Sequence, residues 1–129
     1  MRPPAPVLLA GLVAALLLLA PGCASPRAAA IQHVVLFRLA EARQADALLA
    51  DCDALLPAIP SVVAYHAGRH VDVGRDGVLA DYDVGLVVGF EDVEGYRAYL
   101  DDPAHLRIVE RWRPAFADVR IYDVLDTTR

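Results

Sequence analysis

Lysine is missing from the 129-residue chain, and all twelve basic residues are arginine. Schiff-base chemistry and the phosphate-binding lysine of a P-loop are therefore excluded. Cysteine occurs twice, at positions 23 and 52, and the sequence contains no C-x-x-C pair and no G-x-S-x-G nucleophile elbow. Neither a C-x-x-C zinc site nor an elbow-type serine hydrolase has the residues it needs, and no cofactor or metal is expected. Positive charge is also short, with 12 basic against 17 acidic residues, a net −5 and a pI near 5.2. That balance argues against nucleic acid as a partner, because neutralising phosphates takes a basic surface. The apolar run at the N-terminus is short as well: residues 7–20 are uncharged, but fourteen residues fall short of the ~20 a crossing helix needs. What is plentiful is apolar residues, at 57% with a mean hydropathy of +0.38. A chain of this length and composition forms one small folded domain and not a disordered one.

The opening MRPPAPVLLAGLVAALLLLAPGCASPRAAA places Arg2 before the apolar block and a Pro-Gly-Cys-Ala step after it. The block fits the h-region of an export signal. LLAPGC resembles the lipobox of bacterial lipoproteins, with Gly22 before Cys23. The resemblance implies a signal peptide over residues 1–22, lipidation of Cys23 and a tether over residues 23–30. It also implies attachment to a membrane of the bacterial cell envelope. Ala20 and Pro21 are not the usual lipobox choices. Two alternatives therefore stand: cleavage at a small-x-small site such as Ala30, giving a secreted or periplasmic soluble protein, or an uncleaved anchor. With Cys23 lipidated, Cys52 is the one remaining thiol, and its helical spacing with Leu48, Leu49, Leu55 and Leu56 marks it as a core residue.

Beyond the tether, alternation of apolar residues predicts strands over 31–39, 62–71, 82–90 and 117–126. Helical spacing predicts helices over 41–56, 92–100 and from Pro103 to about Pro114, with Asp92 and Asp102 as caps and residues 127–129 as a tail. Strand, helix, strand, strand, helix, strand is the order of a ferredoxin-like α+β sandwich. Helices cover one face of such a sheet. Val34, Leu36 and Val87 fall on the other face, where exposed apolar area costs ~25 cal/mol per Å². A second copy packed sheet to sheet would cover them, so the pattern predicts a homodimer with a shared interior; contact with the 72–81 loop of the same chain is the alternative. Gly85 and Gly89 on that face mark a bulge or the close approach of another backbone or ligand.

HVVLFRL, LLPAIPSV, AGRHV, YDVGLVVGF and AYLDDPAH, in that order over residues 31–126, resemble the stress-responsive α/β-barrel (Dabb) domain. The resemblance implies a dimeric α+β barrel. It leaves the activity open, because related barrels include monooxygenases, plant polyketide cyclases and assembly proteins of no known chemistry. His70, Leu79, Ala80 and Asp102 depart from residues frequent in the family.

In its cyclase members, positions matching His105 and Tyr99 act as carbon-acid base and carbonyl-polarising phenol, and His33 is placed to join them. An imidazole can accept a proton near neutrality, and a phenol can stabilise an enolate oxygen. The bland alternatives are a His105 bonded to backbone at the helix start and a Tyr99 packed in the core. His66 and His70, about 13 Å apart on a strand, cannot share a metal. Arg111 and Arg113 read as a solvated face around Trp112. The expected function is thus a lipid-anchored barrel that takes a small apolar or aromatic molecule. The alternative is a cofactor-independent enzyme with His105 as base.

Overall fold

The alternation in IQHVVLFRL resolves into strand β1 (Ile31–Leu39), which buries Ile31, His33, Val35, Phe37 and Leu39 and leaves Gln32, Val34 and Leu36 half-buried. A computed structural model describes residues 29–128; the expected signal peptide, Cys23 and the expected tether up to residue 28 lie outside the described residues. After β1 come α1 (Ala45–Leu55), β2 (Val62–Gly68), β3 (Val84–Phe90), α2 (Val93–Asp101), α3 (Pro103–Trp112) and β4 (Phe116–Leu125). The strands form one antiparallel sheet in the order β2-β3-β1-β4. This is the ferredoxin-like arrangement, with its second helical segment divided in two.

Local chemistry explains the boundaries. Asp92 and Asp102 both cap helices, accepting from the N–H of Gly95 at 2.7 Å and of Ala104 at 2.8 Å. Pro103 stands first in α3, where a missing N–H costs nothing. The first helix is shorter than residues 41–56. Ala42–Gln44 and Leu56–Ala58 are 3-10 turns, the second containing Pro57, which has no N–H to continue the α-helical ladder. Strand β2 stops at Gly68 instead of 71, and β3 starts at Val84 instead of 82. Asp83 turns its carboxylate onto the Leu39 N–H at 2.7 Å, which closes the end of β1. Nearby, Arg120 grips Asp81 with two guanidinium nitrogens at 2.8 and 2.9 Å.

The two strand glycines admit groups of the same chain. A Cβ at Gly85 would stand 3.4 Å from the Tyr82 ring and 3.6 Å from Leu36. One at Gly89 would stand 2.6 Å from the Ala29 Cβ and 2.9 Å from the Ala64 Cβ. Tyr82 therefore lies on the outer sheet face beside Leu36, and the chain enters β1 across Gly89. The hairpin loop thus covers part of this face, while Val34, Leu36 and Val87 remain half-buried.

The core fills the space between the helices and the opposite sheet face, with Leu48, Leu56, Val84, Val88, Phe90 and Tyr99 almost fully enclosed. The Trp112 indole N–H donates to Asp51 at 2.8 Å and ties α3 to α1. Cys52 is buried in this core. Burial, reinforced by the charges of Asp53 and Asp51, pushes its thiol up to about 12.

Candidate functional site

The three residues singled out from sequence face one cavity. His33 comes from the buried face of β1, Tyr99 from the last turn of α2 and His105 from the first turn of α3. The cavity has a volume of about 380 Å³ and lies between α3 and the sheet. Its floor and walls are apolar: Val35, Phe37, Leu56, Leu86 and Ile108. It opens along β4, where Val119 and Ile121 pair with Phe37 and Val35 and so share their face, yet remain exposed because that edge of the sheet overhangs the helices. The cavity therefore lies on the helix side of the sheet. The interior expected between two sheets is on the other face and does not contain His33, Tyr99 or His105.

His105 holds Nδ1 3.1 Å from the carbonyl oxygen of Leu100. A carbonyl only accepts, so Nδ1 donates and Nε2 carries the lone pair. Burial lowers the pKa below the ordinary imidazole value, the Leu100 bond opposes that shift, and His33 adds to it. Burial thus favours the neutral imidazole over the charged one. Tyr99 packs against it with ring centroids 4.4 Å apart and is held from behind by Phe90 at 5.0 Å. Only 1% of Tyr99 is exposed, and burial above all raises its pKa, so the phenol keeps its proton. Both bland expectations for this pair are thus met, the backbone bond and the core packing, and a cavity stands beside them.

His33 belongs to a second cluster. Its Nδ1 lies 2.7 Å from both the Asp123 carboxylate and the Tyr96 hydroxyl, and the hydroxyl also donates to the two Asp123 oxygens at 3.1 and 3.2 Å. Burial and the Asp123 charge push Tyr96 up to about 12. Asp123 and Tyr96 were not singled out from sequence. Asp123 lies on the far edge strand, directly opposite His33 in the β1–β4 register, and only that register brings them together.

Arg113, read from sequence as part of a solvated face, lines the cavity mouth together with Asp118. Its signal was the spacing His105, Ile108, Val109, Arg113 along one helix and its end. His66 pairs with Val87 and faces away from His33, so the two do not meet. Among the described residues, no group of three His, Cys, Asp or Glu side chains converges on a point.

The chain matches the Stress responsive A/B Barrel Domain (Dabb) over residues 31–126. No match is found among curated proteins. Many solved structures share the fold, among them the following three. A dimeric ferredoxin-like protein of unknown function from Thermobifida fusca is 27% identical, over 74% of this chain and 90% of its own, with a TM-score of 0.62. A Dabb family protein from Mesorhizobium loti is 28% identical, over 74% and 95%, also at 0.62. The hydroxynitrile lyase of Passiflora edulis is 16% identical, over 77% and 94%, at 0.65, a likeness of fold alone. These proteins consist almost entirely of the matched region, so in them it folds without a further domain. Sequence motifs, sheet order and matched span agree, and the chain belongs to the Dabb family of stress-responsive A/B barrel domains.

Proposed function

We propose that this protein is a lipid-anchored, dimeric barrel of the bacterial envelope that takes a small apolar or aromatic molecule into the cavity between α3 and the sheet. The observation that carries the binding reading is the cavity: about 380 Å³, walled by aliphatic and aromatic side chains, with two imidazoles and a phenol among its lining. Binding sites typically measure about 300–1,000 Å³ and combine apolar walls with a few polar groups. The dimer reading is supported by the half-buried Val34, Leu36 and Val87 and by the dimeric relative from Thermobifida fusca. The anchor reading is supported by the uncharged run over residues 7–20 and the LLAPGC step that ends at Cys23.

Titrating the domain from residue 29 onward with the neutral aromatic probe N-phenyl-1-naphthylamine tests the cavity. One probe per protomer is expected, lost on Ile108→Trp while the circular dichroism spectrum is kept. Binding unaffected by Ile108→Trp would refute the site. Mass spectrometry of the mature protein tests the anchor: a diacylglyceryl group on Cys23 is expected, and an unmodified N-terminus downstream of Cys23 would disprove it.

The His105–Leu100 bond favours a second reading, a cofactor-independent enzyme in which His105 Nε2 removes a proton from an enolisable carbon. The Tyr99 hydroxyl would hold the resulting oxygen, and the fold is shared with a lyase. Exchange of carbon-bound deuterium from a 1,3-diketone, followed by NMR, should then exceed the buffer rate and drop to it in His105→Gln. Equal exchange in both proteins would leave the binding reading alone.

A further inference from the structure

Arg113 carries an uncommitted positive charge at the mouth of an apolar cavity. Two nearby arginines are engaged, Arg111 with Asp51 at 3.1 Å and Arg120 with Asp81 at 2.8 Å. The Arg113 backbone closes the end of α3, but its guanidinium makes no ion pair or hydrogen bond among the described residues, although the residue lines the cavity. The acidic residue at the same mouth, Asp118, already faces Arg120 at 3.5 Å. Arg113 follows the last turn of α3, eight residues beyond His105. At 1.5 Å per residue their backbones stand ~12 Å apart, and Ile108 and Val109 line the cavity between them. One wall thus presents a neutral imidazole at one end, aliphatic side chains along its length and a guanidinium at the solvent end.

Resting on the binding reading above, we propose that the cavity's ligand is an amphipathic carboxylic acid, its apolar body between α3 and the sheet and its carboxylate on Arg113. A guanidinium offers a planar fork of donors that matches a carboxylate. The protein as a whole is acidic, with 17 acidic against 12 basic residues, so its general field repels anions and any preference for one must come from a local cation. The placement also sets orientation. An acid entering along β4 leaves its charge at the exposed rim and carries its uncharged end inward, towards His105 and Tyr99.

Isothermal titration of the domain from residue 29 onward with decanoate and with decanol, at low ionic strength, tests this. Decanoate is expected to bind about tenfold tighter than decanol. The preference should vanish in Arg113→Gln, survive in part in Arg113→Lys, and persist in Arg111→Gln, which removes the neighbouring charge outside the cavity. Equal binding of decanol and decanoate by the unaltered domain would overturn the carboxylate assignment and leave the cavity reading intact. A preference that outlives Arg113→Gln, or falls equally in Arg111→Gln, would overturn it too. Failure of both probes to bind would overturn the cavity reading along with it.

Discussion

His105 donates from Nδ1 to the main-chain carbonyl of Leu100, 3.1 Å away and five residues earlier in the chain. The bond spans the break between α2 and α3. Asp102 ends one helix and caps the next, and Leu100 lies in the last turn before it. One contact therefore sets both the tautomer of the imidazole and its attitude towards the cavity.

This arrangement has a pH signature. Burial holds His105 below its ordinary value of 6.5, so the folded protein resists protonation that the unfolded chain accepts. The stabilisation from the neutral ring is complete above about pH 6.5 and is lost as pH falls through the lowered folded value. Thermal midpoints between pH 8 and pH 5 should fall more steeply for the natural protein than for His105→Gln. Parallel curves would show that His105 is not held neutral.

Removing Asp123 strips a buried imidazole of its carboxylate. The His33 side chain is 5% exposed and that of Asp123 48%, so the loss falls on the enclosed partner. Urea denaturation of Asp123→Ala should show a loss of about 1–3 kcal/mol, the usual cost of an unsatisfied buried polar group. Tyr96→Phe, which leaves the His33–Asp123 bond in place, should cost less. The reverse order would make Tyr96 the principal partner.

Gly89→Ala should destabilise by ~1–3 kcal/mol, because the new methyl would meet the Ala29 and Ala64 Cβ atoms at 2.6 and 2.9 Å. Gly68, whose added Cβ would have nothing within 4 Å, supplies the comparison, and Gly68→Ala should be close to neutral in the same denaturation experiment.

Val87→Arg places a charge in the middle of the half-buried outer sheet face, opposite Val34 in the β1–β3 register. Light scattering on the domain at micromolar concentration should give a dimer for the natural sequence and a monomer for the variant, since an unpaired charge buried between two sheets is costly. A monomeric natural domain would refute the sheet-to-sheet pairing.

The Cys52 thiol, buried and raised to about 12, should resist Ellman's reagent in the native protein and react only on unfolding. Fast native labelling would show that α1 opens readily.

The sequence alone determined the element order, the helix caps and the buried face of β1. Each of these rests on neighbours within a few residues: the alternation of IQHVVLFRL, the Asp-Pro step at 102–103 and the breaks at Pro57 and Pro60. It also brought His33, Tyr99 and His105 to attention, because the motif carrying His105 and Tyr99 is local. Element ends were less legible. Asp83 bonds to Leu39, 44 residues away, and no local pattern announces that β3 starts one residue later.

Tertiary structure decided the rest. It placed the cavity under α3 instead of between two sheets, because an edge strand longer than its helical cover leaves Val119 and Ile121 open. It brought Asp123 and Tyr96 onto His33 through strand register, and turned Arg113 from an ordinary surface charge into the cation at the cavity mouth. Local periodicity settles which face of an element is buried. It does not settle which distant side chain stands opposite, because that depends on strand pairing across 90 residues of chain.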